Sequence, residues 1–188
     1  MFNNTYSGKK ILITGHTGFK GTWLSIWLKT LGAKLYGISR EVLTEPSFYE
    51  NTLHNNNFDR EYFFDISNFK RFNAVIAEVK PDFIFHLAAQ ALVSVSYENP
   101  IDTISTNVFG TVNLLESLRK CNYNCVAVII TSDKVYKNIE ISEGYKETDI
   151  IGGHDIYSGS KGAADILINS YYKTYFESNS KVKIVSAR

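Results

Sequence analysis

A doubly wound α/β fold, with helices on both faces of a parallel sheet, is what this sequence predicts, and three observations carry the prediction. Short β-type runs alternate with longer segments of helical period along the chain, and that order requires crossovers between parallel strands. The run Val126–Ile130 is apolar without a break, as in a strand covered on both faces. A glycine-rich turn follows the first strand and opens the first helix.

The first strand is Ile11-Leu12-Ile13. After the turn, Leu24, Trp27, Leu28 and Leu31 recur at i, i+3, i+4 and i+7, the apolar stripe of a helix, and Gly32 stands where a C-terminal cap belongs. Leu35–Ile38 is the second strand. Arg40 to Asp59 is polar and asparagine-rich (Asn51, Asn55, Asn56, Asn57) and reads as a long surface excursion. Tyr62-Phe63-Phe64 is the third strand, Phe69, Phe72, Ile76 and Val79 mark a helix ending before Pro81, and Phe83-Ile84-Phe85 is the fourth strand. A long helix opened by Pro100 carries Ile101, Ile104, Val108, Leu115 and Leu118 as its stripe. Val126–Ile130, a helix over Tyr157–Phe176 and a last strand, Val182–Val185, complete the pattern.

Residues 1–188 read as one domain, without internal repeat, low-complexity tract or interdomain linker. Hydrophobic residues at 44% and charged residues at 21% are the balance of a globular protein with a core. A net charge of +1 gives no electrostatic reason to expect nucleic acid or an anionic membrane as partner. The polar opening lacks the apolar run of a signal peptide, and Val126–Ile130 is far too short to span a bilayer, so a cytoplasmic location is expected. Cys121 and Cys125 have no second pair and neither a redox nor a zinc-site spacing, so both read as reduced thiols and no metal is expected.

Gly15, Gly18 and Gly21 form G-x-x-G-x-x-G between the first strand and the first helix. A Cβ there would block the tight turn and hold the backbone away from a diphosphate, while the helix N-terminus offers N–H groups and partial positive charge to an anion. The triplet alone is weak; strand before, amphipathic helix after and second strand close behind make it a Rossmann-type dinucleotide cradle. Such a site usually carries an acidic residue about 20 residues on, for the ribose hydroxyl. Ser39 and Arg40 stand there instead. An arginine suits either the 2′-phosphate of NADP or stacking on the adenine of NAD, and both stay open.

Five elements occur in order: the glycine triplet, Asp65-Ile66 after the third strand, His86-Leu87-Ala88-Ala89 after the fourth, Asn107 in the long helix, and Tyr157-x-x-x-Lys161. Together they resemble the extended short-chain dehydrogenase/reductases, the NAD-dependent epimerases and dehydratases. Within that family, TGHTGFKGTWLSIWL, HLAAQALV, TSDKVY and GGHDIYSGSK are similar to the CDP-glucose 4,6-dehydratases. His16, Lys20 and Trp23 depart from the epimerase version, and Lys134 stands where the dTDP-glucose dehydratases carry the glutamate of Thr-Asp-Glu.

The resemblance implies a cofactor site made of the loop Gly15, Thr17, Gly18, Phe19, Lys20 and Gly21, with Arg40, Leu87, Asn107, Tyr157 and Lys161. It puts Asp65 on the adenine, Ile66 packed against it, and the backbone of Ala88 and Ala89 beneath the cofactor. Plainer readings stand beside these: Asp65 or Ser67 as the cap of the following helix, His86 as a hydrogen-bonded histidine at a strand end, Asn107 as a helix fixative, and Lys134 as a solvated lysine.

Tyr157 and Lys161 lie one helical turn apart on one face. A phenol with an ordinary pKa of about 10 is a poor base at neutral pH, and a neighbouring ammonium favours the phenolate. In the implied reaction Tyr157 takes the proton of the sugar 4-hydroxyl, with Ser132 steering that oxygen. Water then leaves across C5 and C6, with Asp133 as acid and Lys134 as base, and the nicotinamide ends as it began. The resemblance therefore implies CDP-glucose as nucleotide-sugar substrate, NAD tightly retained with NADP not excluded, and a homodimer or higher oligomer built on the helices near 100–119 and 157–176. It also implies well over a hundred further residues forming a substrate lobe, so the chain reads as the N-terminal part of a longer protein. An epimerase or reductase on the same scaffold and a non-catalytic dinucleotide-binding module are the rival readings. Asp133-Lys134 speaks against the first; Ser132, Tyr157 and Lys161 speak against the second.

Overall fold

The computed structural model describes residues 2–42, 45–52, 57–178 and 181–188. Six parallel strands form one sheet in the order β3-β2-β1-β4-β5-β6: β1 (Lys10–Thr14), β2 (Lys34–Ser39), β3 (Arg60–Phe63), β4 (Phe83–His86), β5 (Cys125–Ile130) and β6 (Val182–Ala187). Register aligns Leu12 with Tyr36 on one side and with Ile84 on the other. The strand order reverses between β1 and β4, which opens the crevice where doubly wound sheets bind ligands. The α/β prediction holds.

Side chains alternate across the sheet. Leu12, Ile38, Ile84, Ala127 and Ile129 face a core built with α3 (Phe69–Val79), α6 (Gly110–Arg119) and α7 (Ile156–Tyr171). Ile11, Ile13 and Leu35 face α1 (Phe19–Thr30) through Leu24, Leu28 and Leu31. That second layer does not extend to the far edge, so Val185 on β6 is 52% exposed. For the same reason β5 is not covered equally on both faces: Cys125, Ala127 and Ile129 are buried, while Val126, Val128 and Ile130 are only half-buried.

α1 ends as its sequence predicts. Gly32 sits at φ +83 and donates to Lys29 O, and Ala33 donates to Leu28 O, the paired bonds that close a helix on a left-handed glycine. Trp27 does not join the stripe; it lies edge-on to Phe2 at 5.4 Å. The excursion 40–59 contains a short helix, α2 (Phe48–Thr52), while its Asn55 and Asn56 lie outside the described residues. Neither Asp65 nor Ser67 caps α3: Asn68 accepts from Arg71 N, and Asp65 accepts from Ser67 N in the turn before it.

Between β4 and the long helix the sequence pattern gave no element, and α4 (Val93–Glu98) lies there. The long helix runs from α5 (Pro100–Ile104) through one π turn, Ser105–Phe109, into α6. Its expected stripe is displaced in the first half. Ile101 is 78% exposed, and Thr103, Asn107 and Thr111 are buried instead. The wider turn shifts the phase of the helix, and this stretch packs against polar main chain and α7 rather than the apolar core. No helix among the described residues is long and apolar enough to cross a membrane.

Candidate active site

The cradle is made by main chain. Gly15 sits at φ +74, and a Cβ there would stand 2.8 Å from Ala88 N and 2.9 Å from Ala88 Cα. A Cβ on Gly21 would stand 2.2 Å from Gly15 O. The two predicted segments, the loop after β1 and Leu87-Ala88-Ala89 after β4, are therefore packed together across the switch point. Gly18 begins α1, and no side chain caps it, whereas Asn68 caps α3 and Asp155 caps α7. The first-turn N–H groups of α1 are thus left for an anion. The side chains of Phe19 and Lys20 are exposed beside them.

At the other end of the crevice, Ser39 is buried because its hydroxyl supports the loop: Thr17 N lies 3.3 Å from Ser39 Oγ and Thr17 Oγ1 lies 3.0 Å from it. Arg40 points outward, and its Nη1 lies 3.6 Å from Asp65 Oδ2, which brings two of the predicted adenosine-end residues together. Ile66 is a core residue; its side chain fills the space over Gly110, where a Cβ would be 2.4 Å from Ile66 Cδ1.

The Tyr157–Lys161 helix meets the segment that follows the Ser132–Lys134 turn at Gly162, where a Cβ would stand 3.1 Å from Ile151 Cγ2 and 3.8 Å from Val135 O. Tyr136 bridges to Ile151, and Gly152 N donates to Val135 O, so the segment after β5 folds back along α7. Lys161 is buried with Nζ 3.4 Å from Ile130 O. Burial lowers its ammonium to about 8, and the positive charge of Lys20 adds to that. Ser132 Oγ donates to Asp133 Oδ1 and accepts from Lys134 N, both at 3.1 Å. Asp133 and Lys134 are exposed; Tyr157 is half-buried.

Sequence reasoning missed the polar lattice behind these groups. Ala88 N donates to Thr14 Oγ1, which lies 2.8 Å from His86 Nδ1; His86 Nε2 lies 3.5 Å from Thr111 Oγ1, which donates to Asn107 O. Those directions assign the proton of a neutral imidazole to Nε2. Burial, with the charge of Lys161 second, pushes His86 down to about 3, so it is the satisfied strand-end histidine and no acid. Asn107 accepts from Gln90 N and donates to Gln90 O and to Ser160 Oγ, tying the segment after Ala89 to the turn of α7 between Tyr157 and Lys161. Buried Asp165, one turn past Lys161, takes Arg188 through two nitrogens at 2.6 and 3.2 Å, and Arg188 also reaches Tyr136 Oη at 2.9 Å. Buried polar residues at the ends of apolar runs, Thr14 and Asp165, were the available signal.

His16 is fully buried, with Nε2 2.8 Å from Glu61 Oε1 and its ring against Gly37, where a Cβ would be 2.7 Å from ring carbons. Glu61 also accepts from Tyr49 Oη. Hydrogen bonding to His16 lowers the Glu61 carboxyl despite burial.

Residues 12–184 match the family model described as GDP-mannose 4,6 dehydratase. The CDP-glucose 4,6-dehydratase of Salmonella typhimurium (strain LT2) is 44% identical over 173 residues, covering 92% of this chain and 48% of the relative. Among solved structures, dTDP-glucose 4,6-dehydratase from Bacillus anthracis in complex with NAD is 27% identical with a TM-score of 0.74, covering 95% of this chain and 54% of that one. The UDP-glucose 4-epimerase of Thermus thermophilus in complex with NAD is 25% identical with a TM-score of 0.80 at the same coverage. The chain spans about half the length of the relatives it matches.

Proposed function

We propose a function for this chain from one premise: it belongs to the GDP-mannose 4,6-dehydratase family. It is the cofactor-binding and proton-transferring part of a nucleotide-sugar 4,6-dehydratase, a lyase converting CDP-glucose to CDP-4-keto-6-deoxyglucose. The reading is supported by a glycine cradle closed by Ala88 and a buried lysine one turn beyond Tyr157, whose helix is tied to the segment after Ala89 through Asn107 and Ser160. Identity of 44% to a CDP-glucose 4,6-dehydratase supports the cytidine sugar over other nucleotide sugars.

NAD fits the donors present: an uncapped α1 N-terminus, glycines that let main chain approach, and the cations Lys20 and Lys161 for an anionic ligand. When bound, it supplies the hydride acceptor and donor that the sugar redox chemistry requires. Lys161 holds the ribose hydroxyls and, by its charge, favours the phenolate of Tyr157. Tyr157 takes the proton of the 4-hydroxyl while Ser132 donates to that oxygen, having turned from Asp133. Asp133 protonates the departing 6-hydroxyl and Lys134, as the free amine, takes the C5 proton; once hydride has come back to C6, Lys134 returns a solvent-exchanged proton to C5. Both are exposed, so the dry surroundings that such roles need come from the bound sugar and what closes over it. The cofactor is retained between turnovers, and no external reductant is needed. The same reading makes the protein a homodimer or higher homo-oligomer through α5–α6 and α7, where Ile101, Phe109 and Ile166 are exposed.

The test is incubation of protein carrying this chain with CDP-glucose and NAD in deuterated water. A 4-keto-6-deoxy sugar with deuterium at C5 is expected. An epimer, a reduced sugar that consumes added NADPH, or nucleotide binding without product would overturn the reading.

A further inference from the structure

A carboxylate and a guanidinium that the proposed chemistry does not use meet behind the Ser132–Lys134 turn. Asp165 lies on α7 two turns past Tyr157 and is 2% exposed. Its Oδ2 accepts from Arg188 Nη2 at 2.6 Å and Nε at 3.2 Å, while Thr131 Oγ1 lies 3.4 Å from its Oδ1. The remaining nitrogen of Arg188, Nη1, donates to Tyr136 Oη at 2.9 Å and to Glu147 O at 3.1 Å. Tyr145 stacks on Tyr136 with ring centroids 5.1 Å apart, and its hydroxyl accepts from Ile139 N at 2.9 Å. The segment returning toward α7 is thus held to the same pair.

Thr131 directly precedes Ser132, and Tyr136 follows Lys134 by two residues. We infer that Asp165 and Arg188 form a clasp that fixes both flanks of the Ser132–Lys134 turn to α7, which makes them positioning residues for the dehydration. The inference rests on the dehydratase reading above. The bonds of Ser132 and Asp133 stay within the turn or run to the two residues after it. Among the described residues, the hydrogen bonds that relate this turn to the helix of Tyr157 therefore run through its flanks. A buried ion pair is seldom a net source of stability, because apolar side chains of similar volume often serve as well or better. What they cannot reproduce is the fork, which fixes distance and angle at once. Such geometry matters to proton transfer, where a displacement of about 1 Å costs up to about 10²-fold in rate.

The experiment uses protein carrying this chain and follows keto-sugar formation from CDP-glucose, NAD binding and thermal unfolding together. Asp165→Leu/Arg188→Met replaces the pair by apolar groups and should keep the unfolding midpoint. Its kcat should fall about 10- to 100-fold, with KM for CDP-glucose and the NAD dissociation constant within about threefold of the parent. With CDP-glucose deuterated at C5, the variant should show a primary isotope effect on kcat, because a displaced Lys134 makes removal of that proton slow. Tyr136→Phe and Thr131→Val each release one flank and leave the buried pair, so they carry the test if the double variant does not fold. Each should lower kcat by about three- to tenfold with KM unchanged. Parental kcat in the folded variants, a fall that tracks unfolded protein without an isotope effect, or a loss carried by KM overturns the clasp and leaves the dehydratase reading intact. A parent protein that forms no keto sugar overturns both.

Discussion

At the glycine turn the chain is held by main-chain contacts that leave no room for one extra carbon, whereas at Ser132–Lys134 the three side chains proposed for catalysis stand on a short turn with two of them exposed. The first region is finished before any ligand arrives: Gly15 against Ala88, Gly21 against Gly15 O, Thr14 between Ala88 and His86. The second is placed by its neighbours, through Gly162 and the return of the segment to Ile151, but its working groups face outward. Binding a dinucleotide needs pre-set dipoles, which backbone supplies without reorganisation. Transferring protons on a sugar needs groups that change partners, and Ser132, now donating to Asp133, is such a group. Stability should therefore depend on the first region and turnover on the second.

The largest expected effect breaks the comparison if it fails. Asp133→Asn and Lys134→Met should each lower formation of the keto sugar by about 10²- to 10⁴-fold, with stability changed by less than about 0.5 kcal/mol because both side chains are exposed. A loss of folding on that scale, followed by thermal unfolding, would make the turn part of the packing. Gly21→Ala comes next. Its Cβ meets Gly15 O and His16 Cα, both main chain, so unfolding free energy should fall by about 1–3 kcal/mol and nucleotide affinity with it. Gly18→Ala, whose nearest contact is 3.3 Å, is the internal control and should cost less on both counts in urea unfolding and calorimetry.

How much of this was legible in the sequence follows the same division. The parallel sheet and the glycine turn are local patterns that periodicity and spacing expose, whereas Tyr157 and Lys161 stood out only through the resemblance that the whole set of motifs carries. What stayed hidden depends on distant partners. Asp102 lies 62 residues from Arg40, and nothing in either neighbourhood announces the pairing. The stripe of the long helix failed because a constant 3.6-residue period cannot foresee the π turn at Ser105–Phe109, and because a buried polar row of Thr103, Asn107 and Thr111 looks like an exposed face. α4 was missed because Val93, Ser94, Val95 and Ser96 are poor helix formers held by tertiary contacts to α5 and α7.

Acid sharpens the comparison from the inside. His86 is neutral when folded, at about 3, against 6.5 when unfolded. Below pH 6.5 the unfolded chain takes up a proton that the folded chain refuses, so the stability contributed by neutral His86 is whole above 6.5 and drains away as pH falls toward 3. The slope is at most one proton, about 1.4 kcal/mol per pH unit. Urea unfolding at pH 7, 6 and 5 should show this loss, and His86→Asn should flatten it. An unchanged slope would mean that the imidazole is not locked between Thr14 and Thr111.

Lys161 links the two regions through a narrower titration than His86, since it lies on the Tyr157 helix and is charged against Lys20 of the cradle. Its window is narrower, from about 8 when folded to 10.5 when unfolded. Below pH 8 both states hold the proton and the cost of burying the ammonium is complete. As pH rises from 8 to 10.5 the folded chain sheds that proton while the unfolded chain keeps it, so stability increases by up to about 1.4 kcal/mol per unit. Nucleotide affinity should move the opposite way, because the neutral amine loses its charge toward the cofactor. Lys161→Met should be more stable than the parent at pH 7, bind NAD more weakly, and lose both trends. Lys20→Gln should shift both to higher pH without abolishing them. Unfolding midpoints and NAD dissociation constants measured together from pH 7 to 10 decide the matter: if stability and affinity rise or fall in step, Lys161 is not the buried charge shared by the cradle and the Tyr157 helix.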